Sequence, residues 1–125
     1  MIEIWKTIDG YQDYEISNLG NVRSKNRIKI DNNGVKRVYS MTYLKTRNHK
    51  GYKTVWIESA HIPFFIDRLV AQAFIPNPNH LPLVNHKNEI KSDNRVENLE
   101  WCTHEYNVNY GNCRTKISKT KTRRY

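Results

Sequence analysis

A chain of 125 residues and 14.9 kDa holds enough material for one domain, or for two very small ones. Lysine and arginine number 21 against 12 acids, giving a formal charge of +9, and 38% hydrophobic content with three Trp and eight Tyr excludes a disordered chain. No apolar run approaches the roughly 20 residues of a spanning helix, and Met1 to Gly10 lacks the basic start and apolar run of a secretory leader. The two cysteines, Cys102 and Cys113, are too few for a disulfide framework or a four-cysteine zinc site, so a reducing cytoplasm is expected.

Trp5, Ile8, Tyr11, Tyr14 and Ile16, punctuated by Gly10, favour short strands, because aromatic and β-branched side chains suit a pleated surface. Asn18-Leu19-Gly20-Asn21 is a turn. Val22 to Ile30 mixes apolar and basic residues, and Asp31-Asn32-Asn33-Gly34 is a hairpin turn, since Asn and Gly tolerate positive φ. Val35 to Thr46 reads as one or two strands, Asn48 to Gly51 turns again, Tyr52 to Glu58 alternates as a strand, and Ile62 to Ile66 is short and apolar. The first half is therefore expected to be one small antiparallel sheet. From Asp67 the period changes: Leu69, Val70, Ala73 and Phe74 fall at helical spacing, with Asp67 as the expected cap and Pro76 and Pro78 as the stop. Leu83-Val84 leads as a strand into Asn85-His86, and Val96, Leu99 and Trp101 mark a second strand beyond a polar loop. Thr103 caps a final helix through Tyr110, with Gly111 as its stop. Arg114 to Tyr125 reads as a basic arm, and the fold class as α+β.

The charge is unevenly placed. Met1 to Gly20 is net −3, Asn21 to Lys50 is net +8, and Arg114 to Tyr125 is net +6. Basic blocks release condensed counterions when they meet phosphates, so a polyanion is the expected partner. Arg23, Lys25, Arg27, Lys45 and Arg47 are the expected phosphate contacts of the first block, and Lys116, Lys119, Lys121, Arg123 and Arg124 those of the arm. A merely solvated basic surface is the blander reading.

His86, Asn98 and Asn107 stand 12 and nine residues apart, and Asn85 adjoins His86. Two strands folded onto a helix can bring these four polar side chains into one pocket. The set suits phosphodiester hydrolysis. A neutral imidazole takes a proton from water near pH 7. The amide oxygens of Asn85 and Asn107 suit a hard cation such as Mg²⁺, and Asn98 would hold His86 in place across the loop.

The stretch Val84-Asn85-His86-Lys87-Asn88 through Asn94 to Trp101 and on to Asn107 resembles the HNH endonuclease motif of phage and intron homing enzymes. Arg68 to Pro78 resembles the helix that precedes it. Trp5-Lys6, Gly10-Tyr11, Tyr14 to Gly20 and Val22-Arg23-Ser24 resemble the nuclease-associated modular DNA-binding motif. The resemblance implies a ββα-metal fold, His86 as general base, Asn98 as its orienter, and Asn85 with Asn107 as ligands of Mg²⁺ or Mn²⁺. It divides the chain into a DNA-binding motif (1–62), a nuclease domain (63–112) and an arm (113–125). It further implies double-stranded DNA as partner, no membrane and no small-molecule cofactor. A monomer that nicks, in the cytoplasm of a phage or mobile-element host, completes that picture.

Three departures stand out. The last position is Asn107 rather than His, Asn85 replaces an Asp often found there, and Asp67 stands where relatives often carry His. The neutral ligands motivate a rival reading, a non-catalytic DNA-binding protein with a degenerate pocket; an RNA-binding module is a third. His104 reads as an exposed helix residue, and Trp101, Leu99 and Phe74 as core.

Overall fold

The structure is a computed structural model that describes residues 2–110. The arm with Lys116, Lys119, Lys121, Arg123 and Arg124, together with Cys113 and the stop at Gly111, lies outside the described residues.

The expected single sheet of the first half is three sheets. Strands β1 (Trp5–Ile8), β2 (Tyr11–Ser17), β3 (Val22–Ser24) and β6 (Thr42–Tyr43) form one of four strands. Strands β4 (Arg27–Ile30) and β5 (Lys36–Tyr39) form a separate ribbon, closed by the expected Asp31 to Gly34 turn, whose Asp31 carboxylate accepts from Asn33 and Val35 backbone N–H. Strands β7 (Thr46–His49), β8 (Tyr52–Ile57) and β9 (Ile62–Phe65) form the third, in antiparallel order. A continuous sheet is ruled out by the short basic and turn-rich segments between these strands, which end each ladder after four or fewer paired positions along Asn21 to Lys50. Strand β9 straddles the boundary drawn at residue 62.

Helix α1 (Ile66–Phe74) forms where the period of two gives way to helical spacing. Its Ile66, Leu69 and Val70 pack with Ile8, Tyr14, Ile16 and Val22 from the first sheet, Val55 and Ile57 from the third, and Leu99 from the second half. Both halves thus share one core. Burying each such side chain contributes about 2 kcal/mol. Asp67 does not cap this helix as expected: the N-cap is Phe65, with no side-chain bond, and Asp67 turns inward. At the far end Ile75 N–H donates to the Ala71 carbonyl before Pro76.

Beyond α1, strand β10 (Leu83–His86) pairs antiparallel with β11 (Leu99–Cys102), and helix α2 (His104–Asn109) follows. Val96, expected within the second strand, instead opens a single 3₁₀ turn, Val96–Asn98, just before β11. Thr103 caps α2 as expected, accepting from Tyr106 N–H at 3.1 Å.

Candidate active site

The register of the β10–β11 pair decides where each candidate side chain goes. Asn85 sits opposite Glu100 and His86 opposite Leu99, and neighbouring residues on a strand face opposite sides. Asn85 and His86 therefore serve different clusters.

On one face the buried His86 ring lies with Nε2 at 2.9 Å from Asn94 Oδ1. An amide oxygen only accepts, so this bond puts the proton on Nε2 and leaves the lone pair on Nδ1. Asp67 lies behind, its Oδ2 at 3.8 Å from the same Nε2. That separation is too long for a hydrogen bond. Asp67 Oδ1 is buried without a partner among the described residues. Burial pushes the Asp67 carboxyl above its ordinary value, against the opposing pull of His86 and then of Arg68.

On the other face Asn85 Nδ2 donates to Glu100 Oε2 at 2.8 Å, and Tyr106 OH donates to the same oxygen at 3.1 Å. Burial first, and then Glu100, push the Tyr106 phenol upward.

Asn98 braces the loop that follows His86. Its Oδ1 accepts from Asn88 N–H at 3.0 Å, and its Nδ2 donates to Asn88 Oδ1 and to the Asp93 carbonyl, both at 2.9 Å. Its backbone carbonyl accepts from Lys87 N–H at 2.7 Å. Asn98, expected to orient His86, bonds Asn88 and Asp93 rather than the ring, whose hydrogen-bond partner is Asn94. Arg95 grips the Asp93 carboxylate with Nε and Nη2 at 2.8 and 2.7 Å, and holds it well below the usual carboxylate range.

The N-terminal sheet reaches this loop. Val96 N–H donates to the Asn18 carbonyl at 2.8 Å, and Gly20, at φ +88, lies so close that a Cβ there would stand 3.0 Å from Asn94 Cβ. A glycine is required on both counts.

A cleft of about 260 Å³ opens beside Asp67, and Asn107 of α2 lines it with His49, Lys50, Tyr52 and Arg68. Lys50 reaches this rim through a two-residue hairpin turn with Gly51, both at positive φ (56 and 92). The Tyr52 ring stands 6.1 Å from that of His86. The rim is cationic and the floor carries a carboxylate and an amide. Such a cleft is suited to a phosphodiester with a divalent cation.

The four expected side chains do not all converge. Asn107 joins Asp67 in the cleft, Asn85 joins Glu100 and Tyr106, and Asn98 joins Asn88 and Asp93. The expected phosphate contacts divide too. Arg23 is committed to Glu15 Oε1 at 2.8 Å and lies 3.8 Å above the Trp5 ring; Lys25 donates to Thr7 Oγ1 at 2.8 Å. Arg27 has Nε and Nη1 buried without hydrogen-bond partners among the described residues and lies against Tyr39, whereas Lys45 and Arg47 are exposed. Sequence reasoning missed Asn94, Glu100, Lys50 and the inward turn of Asp67. An acid flanked by Ile66 and Leu69 on a buried helix face was the one signal available.

Residues 3–58 match the NUMOD4 motif and residues 65–109 match the HNH endonuclease family. Two proteins of Acanthamoeba polyphaga mimivirus, named as uncharacterized HNH endonucleases L247 and L245, are 38% and 35% identical to it. The alignments take in 95% and 100% of this chain but 28% and 35% of those proteins, so the chain spans about a third of their length. Among solved structures, one describing DNA binding and cleavage by the HNH homing endonuclease I-HmuI matches with a TM-score of 0.64 and 32% identity. That match covers 84% of this chain and 55% of the other. The chain thus carries a NUMOD4 motif followed directly by an HNH endonuclease domain.

Proposed function

We propose that this chain is a metal-dependent, homing-type DNA endonuclease that hydrolyses a phosphodiester of double-stranded DNA, leaving 5′-phosphate and 3′-hydroxyl ends. It nicks as a monomer in the cytoplasm of a phage or mobile-element host and needs no small-molecule cofactor. No helix among the described residues is long and apolar enough to cross a membrane.

One observation carries the reading: a buried imidazole whose Nε2 proton is held by Asn94, beside a cation-rimmed cleft. His86 Nδ1 accepts a proton from the attacking water. Asn94 keeps the tautomer fixed and stabilises the imidazolium that forms. Lys50 and Arg68 meet the phosphate oxygens.

The donor set fits a hard cation. Among the described residues no cluster of three or more His, Cys, Asp or Glu side chains is placed to hold a metal. An ion here would draw on amide oxygens, one buried carboxylate and the substrate phosphate, a pattern typical of Mg²⁺ or Mn²⁺. Asn107 is the amide that lines the cleft, whereas Asn85 lies outside it with its nitrogen turned to Glu100. When bound, Mg²⁺ supplies charge stabilisation to the crowded phosphorus and the departing 3′ oxygen.

A supercoiled plasmid tests the proposal. Nicking is expected with Mg²⁺, none with EDTA, and a loss of roughly 10²–10⁴-fold with His86→Ala. Equal or absent nicking in all three arms favours the rival, a DNA-binding protein with a degenerate pocket.

A further inference from the structure

We propose that Asp67 is the carboxylate that anchors the divalent cation of this site, with Asn107 supplying a neighbouring neutral oxygen. The inference deepens the proposed function and rests on it.

Mg²⁺ and Mn²⁺ give up water reluctantly, and protein sites hold them through one or two carboxylates plus substrate phosphate. Two neutral amides make a poor anchor. The described residues lining the cleft include one carboxylate, that of Asp67, and it shares the cleft with Asn107. Glu100, the acid nearest Asn85 in register, is already engaged: its Oε2 accepts from both Asn85 and Tyr106.

Asp67 is in the opposite condition. Its side chain is 10% exposed, and Oδ1 has no hydrogen-bond partner among the described residues. It does not orient His86, because the Nε2 proton already goes to Asn94, and 3.8 Å exceeds hydrogen-bond reach. Nor does it cap α1, whose N-cap is Phe65 with no side-chain bond. A buried carboxylate oxygen without a donor costs stability unless it meets a cation. The flanking cations, Lys50 and Arg68, stand on the exposed rim, where phosphate would engage them.

The full chain is titrated with Mn²⁺ in the absence of DNA, and free Mn²⁺ is followed by electron paramagnetic resonance. Asp67→Asn keeps the shape and removes the charge. It is expected to weaken Mn²⁺ binding at least tenfold and to abolish the metal-induced rise in Tm. Its metal-free Tm should equal or exceed that of the wild type, whereas a structural role predicts a lower one. Glu100→Gln, the control on the other face, is expected to leave Mn²⁺ affinity within twofold. Unchanged Mn²⁺ affinity in Asp67→Asn overturns the inference, as does a wild-type chain that leaves the Mn²⁺ signal untouched. The two readings fail separately. Asp67-dependent Mn²⁺ binding without plasmid nicking sinks the nuclease proposal alone. Nicking lost in Asp67→Asn at wild-type Mn²⁺ affinity sinks this one alone.

Discussion

The loop after His86 and the β4–β5 ribbon are both polar, turn-rich and of similar length, yet they are built in opposite ways. Asn88, Asp93, Asn94 and Val96 of the loop are tied to Asn98, Arg95, His86 and Asn18. The ribbon pairs with itself in register, and Ile28, Ile30 and Val38 are 60, 67 and 72% exposed. A group that must present one lone pair to one water needs every neighbour fixed. A surface that follows a charged backbone needs charge and adaptability. Under the proposed function the loop would carry the chemistry and the ribbon the binding, and each variant below tests one side of that contrast.

The largest effect is expected at Asn94. Asn94→Ala removes the acceptor that fixes the Nε2 proton, so His86 is free to turn or change tautomer. Nicking should fall roughly 10–100-fold, the usual cost of losing a group that orients an imidazole. DNA affinity, measured by fluorescence anisotropy, should not change. A fall in affinity with intact turnover would mean that the loop binds rather than positions.

Next comes Gly20, in the N-terminal half. Gly20→Ala forces a side chain into φ +88 and against Asn94 Cβ at 3.0 Å. Strain of this kind costs about 1–3 kcal/mol. Chemical denaturation should show that loss, and nicking should fall together with stability although Gly20 touches neither water nor phosphate. Lost stability with unchanged nicking would uncouple the N-terminal half from the loop after His86.

The ribbon should respond differently. Lys29 and Arg37 face each other across the strands, an arrangement that like charges disfavour unless an anion lies between them. Asp31 offsets Arg37 weakly, at 3.7 Å. Lys29→Ala with Arg37→Ala should weaken DNA binding and reduce the slope of log affinity against log salt by roughly 0.9 for each phosphate that is no longer neutralised. Turnover of bound DNA should be unchanged, and stability should move by about 0.5 kcal/mol or less, since both side chains are exposed. An unaltered salt slope would remove the ribbon from the interface.

The sequence was most legible where a single local rule governs. The Asp31 to Gly34 turn, the end of α1 before Pro76 and the Thr103 cap each follow from residues within a few positions of one another. Family spacing placed His86 at the end of its strand and Asn107 on its helix. What escaped depends on distant contacts. Asp67 looks like a cap because Asp at a helix start usually is one, but Phe65 begins the helix and α1 rotates Asp67 into the core toward His86. Asn94 sits in a loop without periodicity, and its importance comes from a partner eight residues back and a glycine more than seventy residues away. Four side chains were expected around one point, but strand alternation turns Asn85 from His86, a consequence of period two that residue spacing alone conceals.

The smallest effect offers the finest readout of the braced region. Cys102 ends β11 and is buried; burial first, with Glu100 adding, pushes its thiol up to about 11. A thiol so raised has roughly 10⁻³ of its population as thiolate at pH 8. Its contribution to stability is complete below the ordinary thiol value near 9 and is lost as pH rises through about 11. With Cys113→Ser as background, Cys102 should resist a disulfide reagent at pH 8 and react only as fast as β11 opens. Asn98→Ala removes the brace immediately before that strand and leaves Asn88 N–H without its acceptor. Asn88 is exposed, so water replaces part of the bond; the loss is about 0.5–1 kcal/mol, and opening should accelerate by roughly 2- to 5-fold. The ribbon variants should not alter this rate. Equal acceleration by both would mean that loop and ribbon open as one unit, and the contrast between them would not hold.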